Sequence, residues 1–281
     1  NGTVSLNGGL LDVDKNITVD SDLEHAAGSF IEIKAGKALS YTGQLFNIGN
    51  HTLKLSGGGT FKNTNNLSID NAGSKLSISD NTMVSRVLVS ASSAGNGITI
   101  SNSNASATRI ESLQLSSSLS VTSDAAWEVG SMTSGGTLTF SNDKDLSIGS
   151  LSLTGNDAEM SLGASNVTVS VTSPVSAGST QIIRNGGGSL NFMGGLTLAS
   201  GSELIGQGQQ ISGNIALSGG KLTAEQDTTF LDNITVSAGS TSTIHIASSK
   251  ALTYGGQTVD IGTSKLKIKG GGSFVNTGTT P

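Results

Sequence analysis

Residues Lys37–Thr64 read KALSYTGQLFNIGNHTLKLSGGGTFKNT, and residues Lys250–Thr277 read KALTYGGQTVDIGTSKLKIKGGGSFVNT. The two stretches align without a gap at an offset of 213 in residue number (250 − 37), and 16 of their 28 positions are identical. Apolar matches upstream extend the internal duplication to residues 31–64 and 244–277. Self-similarity of this kind indicates a repeat architecture, whose period has to be settled before any site is considered.

A second match lies before the duplicated region. The tetrapeptide NITV occurs at Asn16–Val19 and again at Asn233–Val236, which is an offset of 217 in residue number (233 − 16). Because 217 exceeds the offset of 213 by four, we predict a longer segment in the first copy and place it within Asp20–Phe30.

Apolar residues inside the first stretch alternate with polar ones. They form pairs that begin at Leu39, Phe46 and Leu53 and are followed by Phe61, so the spacings in residue number are 7, 7 and 8 (39→46→53→61). Alternation with a period of two is typical of strands, because successive side chains of a strand point to opposite faces. Three short strands in about 22 residues, joined by corners of Gly, Asn, Thr and Ser, predict one coil of a parallel β-solenoid.

This register divides the side chains into an inward and an outward set. We expect Lys54, Lys267 and Thr253 to point to solvent, because burying an unpaired lysine is very costly. The inward set consists of Leu39, Tyr41, Phe46, Ile48, Leu53 and Leu55, with their partners at offset 213, namely Leu252, Tyr254, Val259, Ile261, Leu266 and Ile268.

The predicted fold is therefore all-β. We expect a single-stranded parallel β-helix with three short strands per coil of about 21–22 residues, and about a dozen coils in the 281 residues. A right hand follows from the usual sense of parallel crossovers. Residues 1–281 are expected to form one continuous solenoid, and both ends read as coil sequence cut from a longer repetitive protein.

Three glycine triplets give an independent measure of the period. They begin at Gly57, Gly186 and Gly270, and their separations of 129 (186 − 57) and 84 (270 − 186) are close to six and four turns of about 21 residues. Glycine adopts positive φ without a steric penalty, which predicts the same kind of corner at all three positions. The triplets lack the Lys-Ser/Thr of a phosphate-binding loop, so we do not interpret them as a nucleotide site.

Composition narrows the classes of function. Charged residues make up 12% of the chain, the formal net charge is −5, and there is no cysteine. These values give no basic surface for nucleic acid or for an anionic membrane, and no disulfide framework. The sequence has no apolar run of the length, about 18 residues, that a membrane-spanning helix needs, so we predict no membrane span in it.

The densest group of acids lies near the N-terminus and comprises Asp12, Asp14, Asp20, Asp22 and Glu24. Oxygen-rich loops bind Ca²⁺, which takes six to eight oxygen ligands, so a calcium site is one interpretation. The Asp12 and Asp14 pair has strand spacing, however, and Asp12 aligns with Thr223 in the second copy. We favour a solvated acidic face and expect no cofactor or metal.

The β-helix fold also occurs in polysaccharide lyases and hydrolases, which need paired carboxylates or an acidic Ca²⁺ site with a basic partner. The candidate acids are Asp143, Asp145, Asp157 and Glu159, and the candidate guanidinium groups are Arg86, Arg109 and Arg184. One coil beyond Asp143 and Asp145 lies the segment Gly163–Ser165, which offers no acid to pair with them. We therefore predict no catalytic residues, since the fold alone does not imply activity.

The remaining candidates are histidines and aromatic residues. The three histidines, His25, His51 and His245, are far apart in sequence and lack His-x-x-x-His spacing, so we expect corner or solvent-facing positions. Tyr41, Tyr254 and Trp127 could stack on a sugar ring, but their phase with apolar neighbours favours packing inside the solenoid.

In its Ser/Thr/Asn/Gly-rich coils without cysteine and with few charges, the chain resembles bacterial surface β-helix proteins, in particular filamentous-haemagglutinin-like and autotransporter passenger regions. The resemblance covers nearly the whole chain and rests on pattern and composition. It implies an extracellular or cell-surface location and a stalk-like or adhesive role.

From these observations we expect a non-catalytic structural or adhesive segment of a large extracellular bacterial protein. Its expected partners are neighbouring copies or flanking repeats stacked on the terminal coils, and a glycan or cell surface. The alternative is a carbohydrate-active β-helix enzyme or a tailspike-like glycan-binding protein, which would need a cleft walled by long inserts and holding acids.

Overall fold

The structure is a computed structural model, and it describes residues 3–44, 46–90, 96–101, 108–135, 138–140, 144–155, 159–161 and 167–278. Every regular element in these residues is a β-strand, and the paired strands run parallel. The chain divides into two compact units, Asn1–Leu146 and Ser147–Pro281. Both units wind as a parallel β-solenoid, with about 11 turns of about 22 residues in the chain, which confirms the predicted fold class.

Each coil of the first unit places its successive strands on three faces, which we name A, B and C in chain order. The strands are β1 (Val4–Leu6), β2 (Leu10–Val13), β3 (Ile17–Val19), β4 (Leu23–His25), β5 (Phe30–Ile33), β6 (Ala38–Tyr41), β7 (Phe46–Asn47), β8 (Thr52–Ser56), β9 (Thr60–Asn63), β10 (Leu67–Ile69), β11 (Lys75–Ser79), β12 (Met83–Val89), β13 (Gly97–Ser101), β14 (Thr108–Leu115), β15 (Leu119–Ser123), β16 (Trp127–Ser134) and β17 (Leu138–Phe140). Face A contains β1, β4, β7 and β10, face B contains β2, β5, β8, β11, β13, β15 and β17, and face C contains the others.

The second unit also winds through three faces, to which we give the same letters by their order in each coil. Strand β18 (Leu146–Leu153) begins at the last residue of the first unit, and the strands after it are β19 (Glu159–Ser161), β20 (Thr168–Val171), β21 (Val175–Ala177), β22 (Ile182–Arg184), β23 (Ser189–Phe192), β24 (Leu196–Ala199), β25 (Glu203–Gly206), β26 (Gln210–Ser212), β27 (Ile215–Ser218), β28 (Lys221–Ala224), β29 (Thr228–Phe230), β30 (Ile234–Val236), β31 (Thr241–Ile246), β32 (Ala251–Tyr254), β33 (Val259–Asp260), β34 (Lys265–Gly270) and β35 (Ser273–Asn276). Face A runs β21-β24-β27-β30-β33, face B runs β19-β22-β25-β28-β31-β34, and face C contains β20, β23, β26, β29, β32 and β35.

Some coils of the first unit depart from three separate strands. Strand β12 pairs with both β9 and β10, so that one strand covers faces C and A. Val84 and Val87 on β12 are both buried although they are three residues apart, which is possible only where the strand bends between the faces. No glycine or asparagine separates these two valines, so the sequence supplies no corner residue at which the strand could end.

The core of the first copy follows the predicted register. Leu39, Tyr41, Phe46, Ile48, Leu53 and Leu55 are all 0–1% exposed. Lys54, which lies between two of these residues, is exposed. The alternation arises from the strand pleat, and it confirms the inward set for this copy.

The second copy is buried only in part. Leu252 and Tyr254 are buried and Lys267 is exposed, as predicted, but Ile261 is 42% and Ile268 55% exposed. The prediction of burial is wrong for four of these partner positions, and the reason is the same for all of them. The four residues are Val259, Ile261, Leu266 and Ile268. They lie on the coil β33–β35, which pairs with β30–β32 on one side, and no further coil covers its other side in the described residues.

Thr253 lies in the outward phase, as predicted, but its side chain is not fully exposed to solvent. Thr253 is half-buried, because it lies between its column neighbours Thr229 and Val275 on face C.

The NITV match is a coincidence. Asn16 Oδ1 accepts the backbone N–H of Ala38 at 2.9 Å, and Asp227 Oδ1 accepts that of Ala251 at 2.8 Å. Asn16 therefore corresponds to Asp227, at an offset of 211 in residue number (227 − 16), and not to Asn233.

The predicted insert in Asp20–Phe30 is also wrong. Asp22 Oδ1 accepts the Gln44 N–H at 3.1 Å and Asn233 Oδ1 accepts the Gln257 N–H at 3.1 Å, which again gives an offset of 211. Because the offset rises to 213 by strand β5, the second copy is two residues longer here. Asp20–Phe30 holds strand β4 and the start of β5, so it is an ordinary part of a coil.

The glycine triplets occupy equivalent corners in both units, between a face B strand and the next face C strand. Gly57, Gly186 and Gly270 have φ of 94°, 52° and 107°, which confirms the predicted positive φ. The third glycine of the triplet is required for a second reason. A Cβ on Gly59 would lie 2.4 Å from Ile33 Cγ2, and one on Gly272 would lie 2.4 Å from Ile246 Cγ2.

Candidate functional site

The acidic residues of the N-terminal coils are spread over two faces. Asp12 is half exposed on face B, with Oδ1 3.7 Å from Lys34 Nζ, and the same ammonium group contacts Glu32 on the neighbouring strand. Asp14 lies beyond the end of β2 and is exposed. Asp12, Glu32 and Lys34 form a charged ladder on the surface of face B, and the exposure of Asp12 and Asp14 agrees with the predicted solvated face.

The other three acids lie around face A. Asp22 caps the corner at Gln44 as described above, and Glu24 Oε2 accepts a hydrogen bond from Ser5 Oγ at 3.1 Å. Asp20 and Asp22 line a shallow polar groove of about 290 Å³, together with Thr3, Ser21, Thr42, Gly43, Gln44 and Asn65. In the second copy Leu231 and Asn233 replace these two acids, so the groove is not repeated.

The structure does not assemble these acids into a coordination sphere. Among the described residues no group of three or more His, Asp or Glu side chains could hold a metal ion. Asp12 and Asp22 instead have a lysine and a backbone N–H as partners. The arrangement can stabilise coil edges and present negative charge.

The candidate acids for glycan chemistry are not brought together as a pair. Asp143 and Asp157 lie outside the described residues, as does the segment Gly163–Ser165. Asp145 is exposed before β18, and its carbonyl accepts the Trp127 N–H at 3.2 Å. Glu159 lies on β19, where its Oε1 accepts a hydrogen bond from Arg184 Nε at 2.7 Å.

Arg184 is the centre of a polar network on face B of the second unit. Its Nη1 lies 3.4 Å from Glu225 Oε1, and Gln207 Nε2 donates to Glu225 Oε2 at 2.8 Å. Lys221 and Glu203 lie one coil apart on the same face, and Lys221 Nζ is 2.9 Å from Glu203 Oε1. The Arg184 guanidinium group therefore pairs with both carboxylates, Glu159 and Glu225.

The other two arginines lie elsewhere. Arg109 Nη1 lies 3.9 Å from Glu128 Oε2 on the next strand of face C. The backbone of Arg86 is bonded to Asn63, and its side chain is exposed. The three arginines therefore do not converge on one site.

His25 and His51 form a pair that we did not predict from the sequence. Their ring centroids are 5.9 Å apart at an interplanar angle of 83°, and His25 also meets Phe46 edge-on at 6.4 Å. His51 lies in the corner before β8, about one coil after His25. Their spacing of 26 in residue number (51 − 25) was the sequence signal that could have indicated this contact. The third histidine, His245, lies on face B between Thr223 and Lys269.

Burial lowers the pKa of His25 below its ordinary 6.5, the charge of His51 lowers it further, and a contact with the Thr52 backbone opposes the change. A lowered pKa means that the unfolded chain binds the proton more tightly. The stabilisation by neutral His25 is therefore complete above about pH 6.5 and is lost as the pH falls through the lower folded-state pKa.

We expect the first unit to lose stability from about pH 7 to about pH 5 in a manner that depends on His25. The matched variant is His25→Val, because Val236 occupies the equivalent position in the second copy. Amide exchange of β4 and β7, measured at both pH values, should show weaker protection at low pH in the natural chain. An equal loss of protection in His25→Val would contradict the assignment.

The two tyrosines and the tryptophan considered for sugar stacking are in the core, as predicted. Trp127 is 1% exposed, and Tyr41 and Tyr254 are 0% and 1% exposed. Tyr41 stacks on Phe61 with centroids 6.4 Å apart, and the Tyr41 hydroxyl accepts the Leu23 N–H at 3.4 Å. Burial raises the pKa of both tyrosine hydroxyls. These rings are not available to stack on a sugar.

A scan of protein-family models, a search of curated proteins and a search of solved structures each found no match. In the described part of the chain, no helix is long and apolar enough to cross a membrane.

Proposed function

We propose that this chain is a non-catalytic structural segment, a stiff stalk or fibre of an extracellular bacterial surface protein with an adhesive polar exterior. One observation carries the proposal: buried polar side chains bind neighbouring coils to one another. Asn63 donates to the carbonyls of Asn65 and Arg86 at 2.7 and 2.6 Å, and its Oδ1 accepts the Arg86 N–H at 3.1 Å.

The same bond pattern recurs in the second unit. Asn185 Oδ1 accepts the Gln207 N–H at 2.6 Å, and its Nδ2 donates to the Gly208 carbonyl in the next coil. Ser242 Oγ likewise donates to Leu217 O at 3.3 Å, and the equivalent Ser29 donates to Leu6 O. Satisfied buried polar groups rigidify a fold and specify one arrangement of it, which suits a stiff stalk or fibre.

The resemblance to surface β-helix proteins supports the location, and the charged groups support the absence of catalysis. Glu159, Glu203 and Glu225 form ion pairs with Arg184 or Lys221. A glycosidase needs two carboxyl groups on either side of a bound sugar ring, one of them a proton donor. We also propose that residues 1–281 form one continuous right-handed solenoid.

We expect no turnover of acidic or neutral polysaccharides above background. A reducing-end assay and an unsaturated-product assay over a glycan panel would check this with the natural chain and with Glu159→Gln, whose loss of charge removes the candidate acid. Turnover by the natural chain that Glu159→Gln abolishes would overturn the structural function. Glycan binding without turnover would support the adhesive exterior.

A further inference from the structure

Three lysines form a row on the outer side of strand β34. Lys265, Lys267 and Lys269 are exposed, and they alternate along the strand with Leu266 and Ile268. Because successive side chains of a strand point to opposite faces, the three lysines lie on one side, and the first and last are about 13 Å apart along the strand. In the part of the chain that the structure describes, none of the three forms an ion pair with an acid.

The outward direction of this row comes from the strand pleat and does not depend on which coils lie beside β34. Lys54 and Lys75 occupy outward positions on face B of the first unit, with strands paired on both sides of them, and both are exposed. The long aliphatic stem of a lysine carries its ammonium group past the neighbouring side chains. A further coil beside β34 would therefore leave the ammonium groups of the row at the surface.

A row of hydrogen-bonding side chains lies beside the lysines. Strand β31 pairs in parallel with β34 and places Thr241, Thr243 and His245 next to the three lysines in that order. Thr241 is exposed, and the other two are half-buried. Hydroxyl and imidazole groups both donate and accept hydrogen bonds. We call these two rows of three residues together the lysine surface.

The first copy of the duplicated coil lacks this surface. At an offset of 213 in residue number, Thr52 and Ser56 stand where the second copy has Lys265 and Lys269, and Glu32 stands where it has His245. Four inward positions of the same strands hold Leu or Ile in both copies. The two copies therefore share a core and differ in charge on the outer side of face B.

The net charge of the C-terminal coils also differs from that of the whole chain. The segment Ile234–Asn276 contains four lysines and one aspartate, which gives a net charge of +3 (4 − 1), whereas the whole chain carries −5. The aspartate, Asp260, lies on face A, where its Oδ1 accepts the Gly262 N–H at 2.9 Å. A local positive surface on an acidic chain attracts a polyanion to that surface.

Among polyanions, an acidic polysaccharide fits the lysine surface best. Single-stranded nucleic acids stack their bases on aromatic side chains, and β31 and β34 contain no Phe, Tyr or Trp. Attachment to a lipid surface uses apolar side chains inserted below the headgroups, and the outward positions of these two strands hold no apolar residue. A polysaccharide with carboxylate groups offers both anions for the lysines and hydroxyl groups for the threonines and the histidine.

We propose that the lysine surface binds an acidic polysaccharide, whose carboxylates pair with Lys265, Lys267 and Lys269 and whose hydroxyl groups bond to the side chains of β31. The proposal rests on the proposed adhesive function, and it names the class of glycan and the face that holds it. Ion pairs between exposed groups are screened by salt, so the affinity should fall as the ionic strength rises.

Binding of the natural chain to immobilised polygalacturonate, measured at about 20 mM and about 150 mM salt, tests the proposal. We expect binding that weakens at the higher salt concentration, and no binding to neutral dextran. The double variant Lys265→Thr with Lys269→Ser carries the residues of the first copy and should bind about tenfold more weakly. His245→Glu should bind about threefold more weakly, because the new carboxylate lies beside Lys269 and competes for it.

The matched control is the double variant Lys15→Thr with Lys62→Ser. Both lysines are exposed and lie outside the lysine surface, so the net charge changes by the same amount and binding should be unchanged. Circular dichroism establishes that each variant is folded. Equal weakening in the control would overturn the proposal, because it would show attraction by the net charge alone.

Two further results would overturn the proposal. One is no binding of the natural chain to polygalacturonate at about 20 mM salt. The other is tighter binding to duplex DNA or to phosphatidylserine vesicles than to polygalacturonate, lost in the Lys265→Thr, Lys269→Ser variant. Neither result restores catalysis, so the non-catalytic structural function would stand, whereas turnover of polygalacturonate would overturn that function without changing how binding depends on the lysines.

Discussion

Leu55→Ala is expected to lower the free energy of unfolding of the first unit by about 2–5 kcal/mol, whereas Ile268→Ala should lower that of the second unit by less than about 1 kcal/mol. Both substitutions remove three carbon atoms from equivalent positions of the duplicated coil. Leu55 is 1% exposed and its removal leaves a cavity, while Ile268 is 55% exposed and leaves none. The contrast therefore isolates burial from side-chain chemistry.

Urea denaturation of the natural chain and of each variant would measure the two values. The change in midpoint should be large for Leu55→Ala and small for Ile268→Ala, with little change in the denaturant slope. Equal losses in the two variants would contradict the exposed position of Ile268 on β34.

The inward register was predictable because side chains alternate between the two faces of a strand. When one face is buried, only one of the two alternating sets of side chains can point to the core. Leu53 and Lys54 show this directly, since a slip of one residue would bury the lysine. The exposure of Ile268 was not predictable by the same argument. Phase tells which way a side chain points, and exposure depends on whether another coil lies against it.

The failure of the NITV match has a different cause. The two tetrapeptides have the same apolar phase, but Ile17 pairs with Leu39 on face C and Ile234 pairs with Val259 on face A. In a solenoid all three faces use similar alternating segments, so a short identity does not identify the face. The asparagine and aspartate bonds to the next coil identify it, because they depend on position within the corner.

The His25–His51 contact was missed for a related reason. Contacts along a solenoid axis join residues about one coil apart, and corners of variable length shift that spacing. The two histidines are 26 apart in residue number (51 − 25). Strand partners near them are closer in sequence: Leu39 and Phe61 are 22 apart (61 − 39), and Ile31 and Leu55 are 24 apart (55 − 31). Side chains in corners are therefore harder to pair from sequence than side chains in strands.

Gly57→Ala is expected to destabilise the first unit by about 3–5 kcal/mol, well beyond the ordinary cost of an alanine at positive φ. Gly57 has a φ of 94°, and a Cβ there would lie 2.5 Å from the carbonyl oxygen of Ile33 and 2.9 Å from its carbon. The Ile33 carbonyl cannot simply move away, because it accepts the Gly59 N–H at 2.8 Å. The substitution therefore forces two coils apart at a corner.

Gly36→Ala is the matched control, because Gly36 has a φ of 72° and no atom beyond its own residue and its two chain neighbours lies within 4 Å of its added Cβ. It should cost about 1 kcal/mol, which is the conformational term alone. Thermal unfolding of both variants would separate that term from the close approach of the two coils. If Gly57→Ala and Gly36→Ala lowered the melting temperature equally, the corner would tolerate a side chain, and the triplet would be explained by positive φ without any requirement for close packing of the coils.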